Sequence, residues 1–323
     1  MPPFSDEILK YEYLFRLNRT IDYIRDHYAE ELNLTKLAEV ACFSKFHFHR
    51  IFRALIGETV NEFVRRVRLE KAVHMLTLDK YKSIINIALD CGFSSSQNFA
   101  KAFRAYFGVT PTFVRAEYNW DSMKSKFGNR ESEDREPVPS GGVPNTDHYR
   151  IQSRLLMKKM IEQRTPLRVR VTEMPSYRVA YVRSMGPYRR EIVEPAFVRL
   201  MQWAMPRGLI NEKTLILGAM WSDPNITPTD KCIYDACITV PESIRSDRWI
   251  NVQTLRGEKY AVYHCEIDPH EHLEAWMRLI INWLLSSGYQ PDDRPLYEII
   301  YNIGEEYPLR RHIVDLCLPV KPL

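Results

Sequence analysis

No apolar run in this 323-residue chain approaches the ~18–20 residues needed to cross a bilayer. The first residues, Met1-Pro2-Pro3-Phe4-Ser5-Asp6-Glu7, are acidic and lack an apolar centre, so no secretory leader is expected. The six cysteines (Cys42, Cys91, Cys232, Cys237, Cys265 and Cys317) are scattered and form no C-x-x-C pair. That pattern implies reduced, buried thiols in a cytoplasmic protein. There is no G-x-G-x-x-G, P-loop, H-E-x-x-H or G-x-S-x-G. No cofactor and no catalytic activity are therefore expected. His47/His49 and His270/His272 are i,i+2 pairs, which do not share a helix face, so no metal site is expected. His270 and His272 are expected at the start of a solvated helix.

What is present fits a soluble globular chain long enough for two domains: 45% hydrophobic and 27% charged residues. The net charge of +4 is uneven. Residues 1–128 carry 19 Lys+Arg against 15 Asp+Glu, while the remaining 195 residues carry 26 of each.

Residues 7–115 read as almost continuous helix. Leu17, Ile21, Ile24 and Tyr28 form an apolar stripe at helical spacing. Asn33 or Thr35 can cap a second helix bearing Leu37, Ala38, Val40 and Ala41. After a break at Cys42-Phe43-Ser44, a third helix packs Phe48, Ile51, Phe52 and Leu55 and stops at Gly57. A longer helix runs from about Val60 to Leu78. The pattern then recurs: helix 84–90, a break at Cys91-Gly92-Phe93-Ser94, helix 95–107 and a stop at Gly108. Ala38, Phe43 and Ser44 align with Ala88, Phe93 and Ser94. After one inserted residue, Phe48, Phe52, Arg53 and Gly57 align with Phe99, Phe103, Arg104 and Gly108. Two helix-turn-helix units joined by one long helix are expected. Gly92 supplies a permissive turn residue in the second unit, and Cys42 stands there in the first.

The charge pattern suits a polyanion. No acid lies between Glu39 and Glu58, where Lys45, Arg50 and Arg53 do. None lies between Asp90 and Glu117, where Lys101, Arg104 and Arg115 do. Carboxylates facing phosphate would repel, so their absence is what double-stranded DNA requires. With the apolar residues inward, Lys45, Phe46, His49, Arg50 and Arg53 face outward on the first recognition helix. Gln97, Asn98, Lys101 and Arg104 do so on the second, with Ser96 and Ala100. Arg50, Gln97 and Asn98 are the first candidates for base contact, since Arg reads guanine and Asn or Gln reads adenine. Phe46, His49 and Lys101 follow, and Arg53 and Arg104 suit phosphate or the helix end.

The chain here resembles the AraC/XylS family of transcription regulators. The resemblance covers about residues 15–116 and is strongest at Ile87-Ala88, Cys91-Gly92-Phe93-Ser94, Phe99, Phe103-Arg104, Phe107-Gly108, Thr110-Pro111 and Arg115. Val114 stands where the family usually has an aromatic residue, which touches packing rather than contact. The resemblance implies two recognition helices in successive major grooves, with Phe46, His49, Arg50, Gln97, Asn98 and Lys101 at base-reading positions. RNA polymerase is a candidate further partner.

Residues 128–148 are rich in Glu, Asp, Arg, Ser, Pro and Gly and read as a flexible linker, with a short helix expected over 149–163. From Leu167 the period shifts towards 2. Strands are expected around 169–171, 179–183, 214–221, 232–240, 252–266, 296–303 and 312–319, with helices over 190–206 and 269–287. This makes an α+β domain of two β-α-β-β halves with a cleft between them. The expected layout is a helical domain over 7–118, a linker over 119–165 and the α+β domain over 166–323.

Glu298 is the odd residue of the second domain, a lone carboxylate in Leu296-Tyr297-Glu298-Ile299-Ile300-Tyr301. Buried without a partner, it would cost several kcal/mol. It either faces solvent or an arginine, or serves as counter-charge for a lipophilic cation among aromatics. The region resembles the gyrase-inhibitor-like (GyrI-like) effector-binding domain over about 167–321. The matching segments are Val179-Ala180, Gly186-Pro187-Tyr188, Trp221-Ser222-Asp223-Pro224, Tyr234-Asp235, Gly257, Trp283-Leu284, Pro295-Leu296-Tyr297-Glu298-Ile299 and Leu318-Pro319-Val320. The resemblance implies a ligand cleft with Glu298 at its acidic position and Trp221, Tyr188 and Tyr297 as candidate walls. Strand alternation sets Tyr297 and Glu298 on opposite faces unless a bulge intervenes. The expected function is a transcription regulator responsive to a small hydrophobic or cationic effector. The alternatives are a second domain that binds a protein partner or hydrolyses small electrophiles, for which Glu298 has no clear second acid.

Overall fold

The computed structural model describes residues 4–79, 81–118, 166–224, 226–302 and 311–322. The expected linker and the helix expected over 149–163 lie outside them. The chain divides into two compact units, Met1–Asn119 with Arg245–Asn251, and Trp120–Ile244 with Val252–Leu323.

The first unit is all α. Its helices are α1 (Phe4–Asp26), α2 (Leu34–Val40), α3 (Lys45–Ile56), α4 (Val60–Leu78), α5 (Ile84–Asp90), α6 (Ser96–Phe107) and α7 (Pro111–Tyr118). Local chemistry sets the ends. Asn33 caps α2 by accepting the Lys36 amide at 2.9 Å. Thr59 and Glu62 form a reciprocal capping box at the head of α4. Ser83 and Ser95 cap α5 and α6, and Gly57 and Gly108 close α3 and α6 in the left-handed conformation.

The sequence repeat becomes a packing repeat. Phe48 stacks edge-on with Phe52 and Phe52 with Phe63, each at 5.6 Å. In the second unit, Phe93 meets Phe99 at 5.2 Å and Phe99 meets Phe103 at 5.4 Å. The buried side of α3 runs through Phe48, Phe52 and Ile56, whereas Ile51 and Leu55, expected inside, are half-buried. Val114 is buried in the core of the second unit with Leu69, Leu76, Ile87 and Phe103.

The second unit is α+β. Its elements are β1 (Val169–Met174), β2 (Tyr177–Met185), α8 (Arg190–Ala204), β3 (Ile216–Met220), β4 (Ile233–Thr239), β5 (Asn251–Leu255), β6 (Glu258–Ile267), α9 (His272–Arg278), β7 (Tyr289–Pro291), β8 (Leu296–Ile300) and β9 (His312–Pro322). Two expectations are corrected. The strand expected over 252–266 is two strands, broken at Gly257, where an added Cβ would lie 2.3 Å from the Met174 carbonyl. The helix expected over 269–287 is regular only to Arg278 and continues as a π turn over Leu279–Trp283.

The strand order is β1-β6-β9-β8-β3-β4-β2-β5, with β7 beside β9. Exchanging β1, β2, β3 and β4 for β5, β6, β8 and β9 reverses this order onto itself. The halves meet where β3 and β8 run antiparallel, with Gly218 opposite Glu298. Each half brings a leading strand to the far edge of the other, so the two interlock. Ala219 faces Asp235 in one half, and Ile299 faces Asp315 in the other. Asp235-x-Cys237 and Asp315-x-Cys317 are thus equivalent, 80 residues apart.

Candidate DNA interface and effector site

On α3 the side opposite the aromatic core carries Lys45, Phe46, Arg50 and Arg53, all exposed, with His49 half-buried beside them. Phe46 is 84% exposed, an unusual place for a phenyl ring without a partner surface. On α6, Gln97, Asn98, Lys101 and Arg104 are exposed. Lys45, Arg50, Arg53, Lys101 and Arg104 make no ion pair or side-chain hydrogen bond among the described residues. Their charge is therefore available to an outside partner. Asn98 is partly engaged, its Nδ2 donating to Ser94 Oγ at 3.0 Å.

The support behind these helices is stiff. Arg66 on α4 is buried, and its guanidinium reaches Glu58 Oε1 at 2.7 Å and Glu70 Oε1 at 3.1 Å. This ties the α3–α4 turn to the linking helix. Arg68 donates to the Tyr28 and Glu30 carbonyls, both at 2.7 Å. Gly92 abuts the same segment, since an added Cβ would lie 2.8 Å from the Ala29 carbonyl and 2.9 Å from that of Tyr28. The turn of the second helix-turn-helix is thereby fixed against the connection between α1 and α2.

In the α+β unit, α8 packs on β2 and β4, and α9 packs on β6. Glu298, 6% exposed, faces the helix side of β8. Opposite it Gly218 has no side chain, and the Tyr234 hydroxyl fills that space, 1.8 Å from where a Cβ would stand. Tyr234 in turn meets Tyr188 at 5.9 Å and Phe197 of α8 at 6.2 Å. The partner of Glu298 is a histidine rather than an arginine: His272 Nδ1 lies 3.0 Å from Glu298 Oε2. His272 Nε2 lies 2.8 Å from His312 Nδ1. Burial pulls the pKa of His272 down, but the Glu298 carboxylate outweighs it and holds the pKa above the ordinary histidine value. Burial and the His272 charge lower that of His312. The consistent arrangement is a His272 ring that stands as an ion pair with Glu298 through Nδ1, without hydrogen-bond alignment, and donates from Nε2 to neutral His312.

The candidate walls separate by face. Tyr188 is on the helix side, but its hydroxyl is occupied, accepting the Ser222 amide at 3.1 Å and lying 2.8 Å from the Ser222 carbonyl. Tyr297 is buried on the opposite face with Tyr181, Tyr260 and Ala219, as strand alternation demands. Trp221 is also on that face, its Nε1 donating to Asp235 Oδ2 at 2.7 Å. A residue without a signal in the sequence stands against Glu298 instead. His272 was expected on a solvated helix start, yet it is half-buried against β8, because only the fold brings α9 over that strand. Trp276, four residues further along α9 and so on the same face as His272, is buried, and its Nε1 has no hydrogen-bond partner among the described residues.

Comparison with known proteins agrees with both halves. Residues 37–117 match a helix-turn-helix domain model, and residues 168–321 match a GyrI-like small molecule binding domain. The transcriptional activator AarP of Providencia stuartii is 32% identical over 99 residues, 31% of this chain and 73% of AarP. The chain belongs to the AraC/XylS family of transcription regulators. The activator RhaS of Escherichia coli O139:H28 is 36% identical over 100 residues, 31% of this chain but 36% of RhaS. The DNA-binding domain of AdpA, solved with a target DNA, is 28% identical and covers 32% of this chain and 91% of that domain, at a TM-score of 0.30.

This AraC-type regulator thus carries a helix-turn-helix domain over 37–117 and a GyrI-like domain over 168–321. The cluster of Asp268, His270 and Glu271 is a different matter. Glu271 accepts the Asp268 amide at 2.8 Å, and Arg311 lies within 3.6–3.7 Å of both acids. Arg311 and the Asp268 amide thus already engage the two carboxylates of this turn. No helix among the described residues is long and apolar enough to cross a membrane.

Proposed function

We propose that this AraC-type regulator reads double-stranded DNA with α3 and α6 and is controlled by a small lipophilic or cationic effector held at Glu298. Residues 7–118 act as the DNA reader, 119–165 as the linker and 166–323 as the effector domain. Arg50, Gln97 and Asn98, with Phe46, His49 and Lys101, read base edges. Lys45, Arg53 and Arg104 hold phosphates. The observation that carries the DNA reading is the row of exposed cations without acid neighbours on both helices. Such a face attracts a polyanion, and counterion release adds to the binding.

The effector reading is supported by Glu298, a buried carboxylate at the seam of two interlocked halves, with Tyr188 and Tyr234 in sequence beside it. Trp221 and Tyr297 take part only if the ligand reaches the opposite face as well. The effector acts by binding DNA-competent and DNA-incompetent arrangements unequally. Regulation takes place in the cytoplasm and includes contact with RNA polymerase, and the chain performs no catalysis.

The deciding experiment is genome-wide DNA capture with the full chain, with and without candidate effectors. Enrichment of one shared sequence, lost on Arg50→Ala, is expected. Capture without sequence preference would sink the reading. Calorimetry with a lipophilic cation, comparing wild type with Glu298→Gln, tests the effector half, and equal affinity in both proteins would overturn it.

A further inference from the structure

A histidine ring already stands against the carboxylate that a cationic effector would seek. His272 Nδ1 stands 3.0 Å from Glu298 Oε2, and the carboxylate is nearly closed to solvent. Two cations cannot share one buried carboxylate without repulsion that the low-dielectric interior magnifies. His272 differs from a lysine or arginine in one respect that matters: it can become neutral near physiological pH.

We propose that a cationic effector enters at Glu298 by exchange for a proton, with His272 as the resident counter-ion that gives up its charge. This rests on the effector reading above and adds the regulation of that site. His312 completes the device. Its Nδ1 accepts from His272 Nε2 at 2.8 Å, which steadies the charged form of His272 and leaves His312 itself neutral. On proton loss, His272 retains one N–H, which the Nε2 bond to His312 can keep, and the attraction to Glu298 is lost. The step balances simply: imidazolium plus incoming monocation gives neutral imidazole, bound monocation and one proton released to solvent.

The other groups that bear on the pair are few. Cys265 of β6 is pushed up to about 12 by burial and then by Glu298. Arg190 at the head of α8 and Asp268 before α9 act on His312 with opposite sign. Cys265 stays neutral near pH 7. His272 is therefore the group of this cluster that changes charge. The direction of its shift places the exchange above the ordinary histidine value. An effector with a permanent charge thus competes with protons, and a neutral effector does not.

The test uses the full chain and benzyltriethylammonium, a permanent lipophilic cation, in calorimetry across pH 5.5–8 with buffers of differing ionisation enthalpy. For wild type, affinity should rise with pH, by up to about tenfold per unit while His272 is charged, then level off. Up to one proton should leave per cation bound on the acidic side. His272→Gln should bind more tightly at pH 5.5, with no proton release and a flat profile. The same proton release and pH profile in that variant would overturn the exchange while leaving the effector reading intact. No binding by wild type, or equal binding by Glu298→Gln, would overturn the effector reading and the exchange with it. Histidine-selective NMR supplies a check free of the probe and of His272 substitution. The His272 ring should titrate above the ordinary value in wild type and fall in Glu298→Gln. An unchanged titration there would also overturn the proposal.

Discussion

Cys42 and Gly92 hold the same left-handed backbone, φ 54° and φ 76°, at equivalent turns of the two helix-turn-helix units. Each amide reaches back to the short helix before it, Cys42 N to Glu39 O at 2.9 Å and Gly92 N to Leu89 O at 2.8 Å. The two turns thus share a backbone path although one carries a side chain. A left-handed residue with a Cβ costs roughly 1–2 kcal/mol, so the first unit bears a strain the second avoids.

Replacing Cys42 by Gly should therefore raise stability by about 1 kcal/mol, a net figure after the added chain entropy of glycine. Gly92→Ala should cost more, about 2 kcal/mol or above, because its Cβ also meets backbone oxygens that cannot move aside. Urea denaturation of the two variants checks both signs. A stabilised Gly92→Ala would refute the packing account.

On DNA, the outward residues should separate into two behaviours. Arg53→Ala or Arg104→Ala should weaken binding across all sequences and lower the slope of log affinity against log salt by about 1 each. Arg50→Ala or Gln97→Ala should cost ~1–3 kcal/mol on the operator alone and relax one base position. Competition binding at several salt concentrations distinguishes them. Equal losses on specific and random DNA for Arg50→Ala would remove it from the base readers.

The two halves of the sheet repeat one motif at unequal depth. Asp235 takes Arg183 Nε and Nη2, each at 2.7 Å, together with Trp221 Nε1 and Gln253 Nε2. Asp315 takes Tyr301 at 2.8 Å and His264 at 2.6 Å. The Arg183 side chain is 2% exposed and that of His264 66%. Asp235→Asn leaves a buried guanidinium without its counter-charge and should cost ~3–5 kcal/mol. Asp315→Asn, whose partner is open to water, should cost about 1 kcal/mol or less. Comparable denaturation midpoints for the two variants would contradict this ranking.

Stability should also report on His272. Its pKa is raised on folding, so the native state holds a proton that the unfolded chain releases first. The stability this contributes is full below the ordinary histidine value and fades as pH rises through the higher folded value. The difference in unfolding free energy between wild type and His272→Gln should shrink across that window. A difference that grows with pH would give the wrong sign.

Much of the helical unit was legible because its information is local. Caps such as Asn33, stops such as Gly57 and Gly108, and the aromatic period shared by Phe48, Phe52, Phe99 and Phe103 each act within a turn or two of chain. Charge was legible for the same reason: a helix without carboxylates between Glu39 and Glu58 is a fact of order alone. The strand content of the second unit and the isolation of Glu298 were likewise readable, since alternation and a single misplaced charge need no partner to be seen.

The sheet's pairing was decided elsewhere. A strand's sequence states which residues share a face, not which strand lies beside it, so the interlocked order and the meeting of Gly218 with Glu298 arose only in three dimensions. The same holds for His272, 26 positions before Glu298 in the chain. Whether that imidazole meets water or a carboxylate depends on where α9 crosses the sheet. Burial and electrostatic pairing are properties of space, and they become visible once the chain has closed on itself.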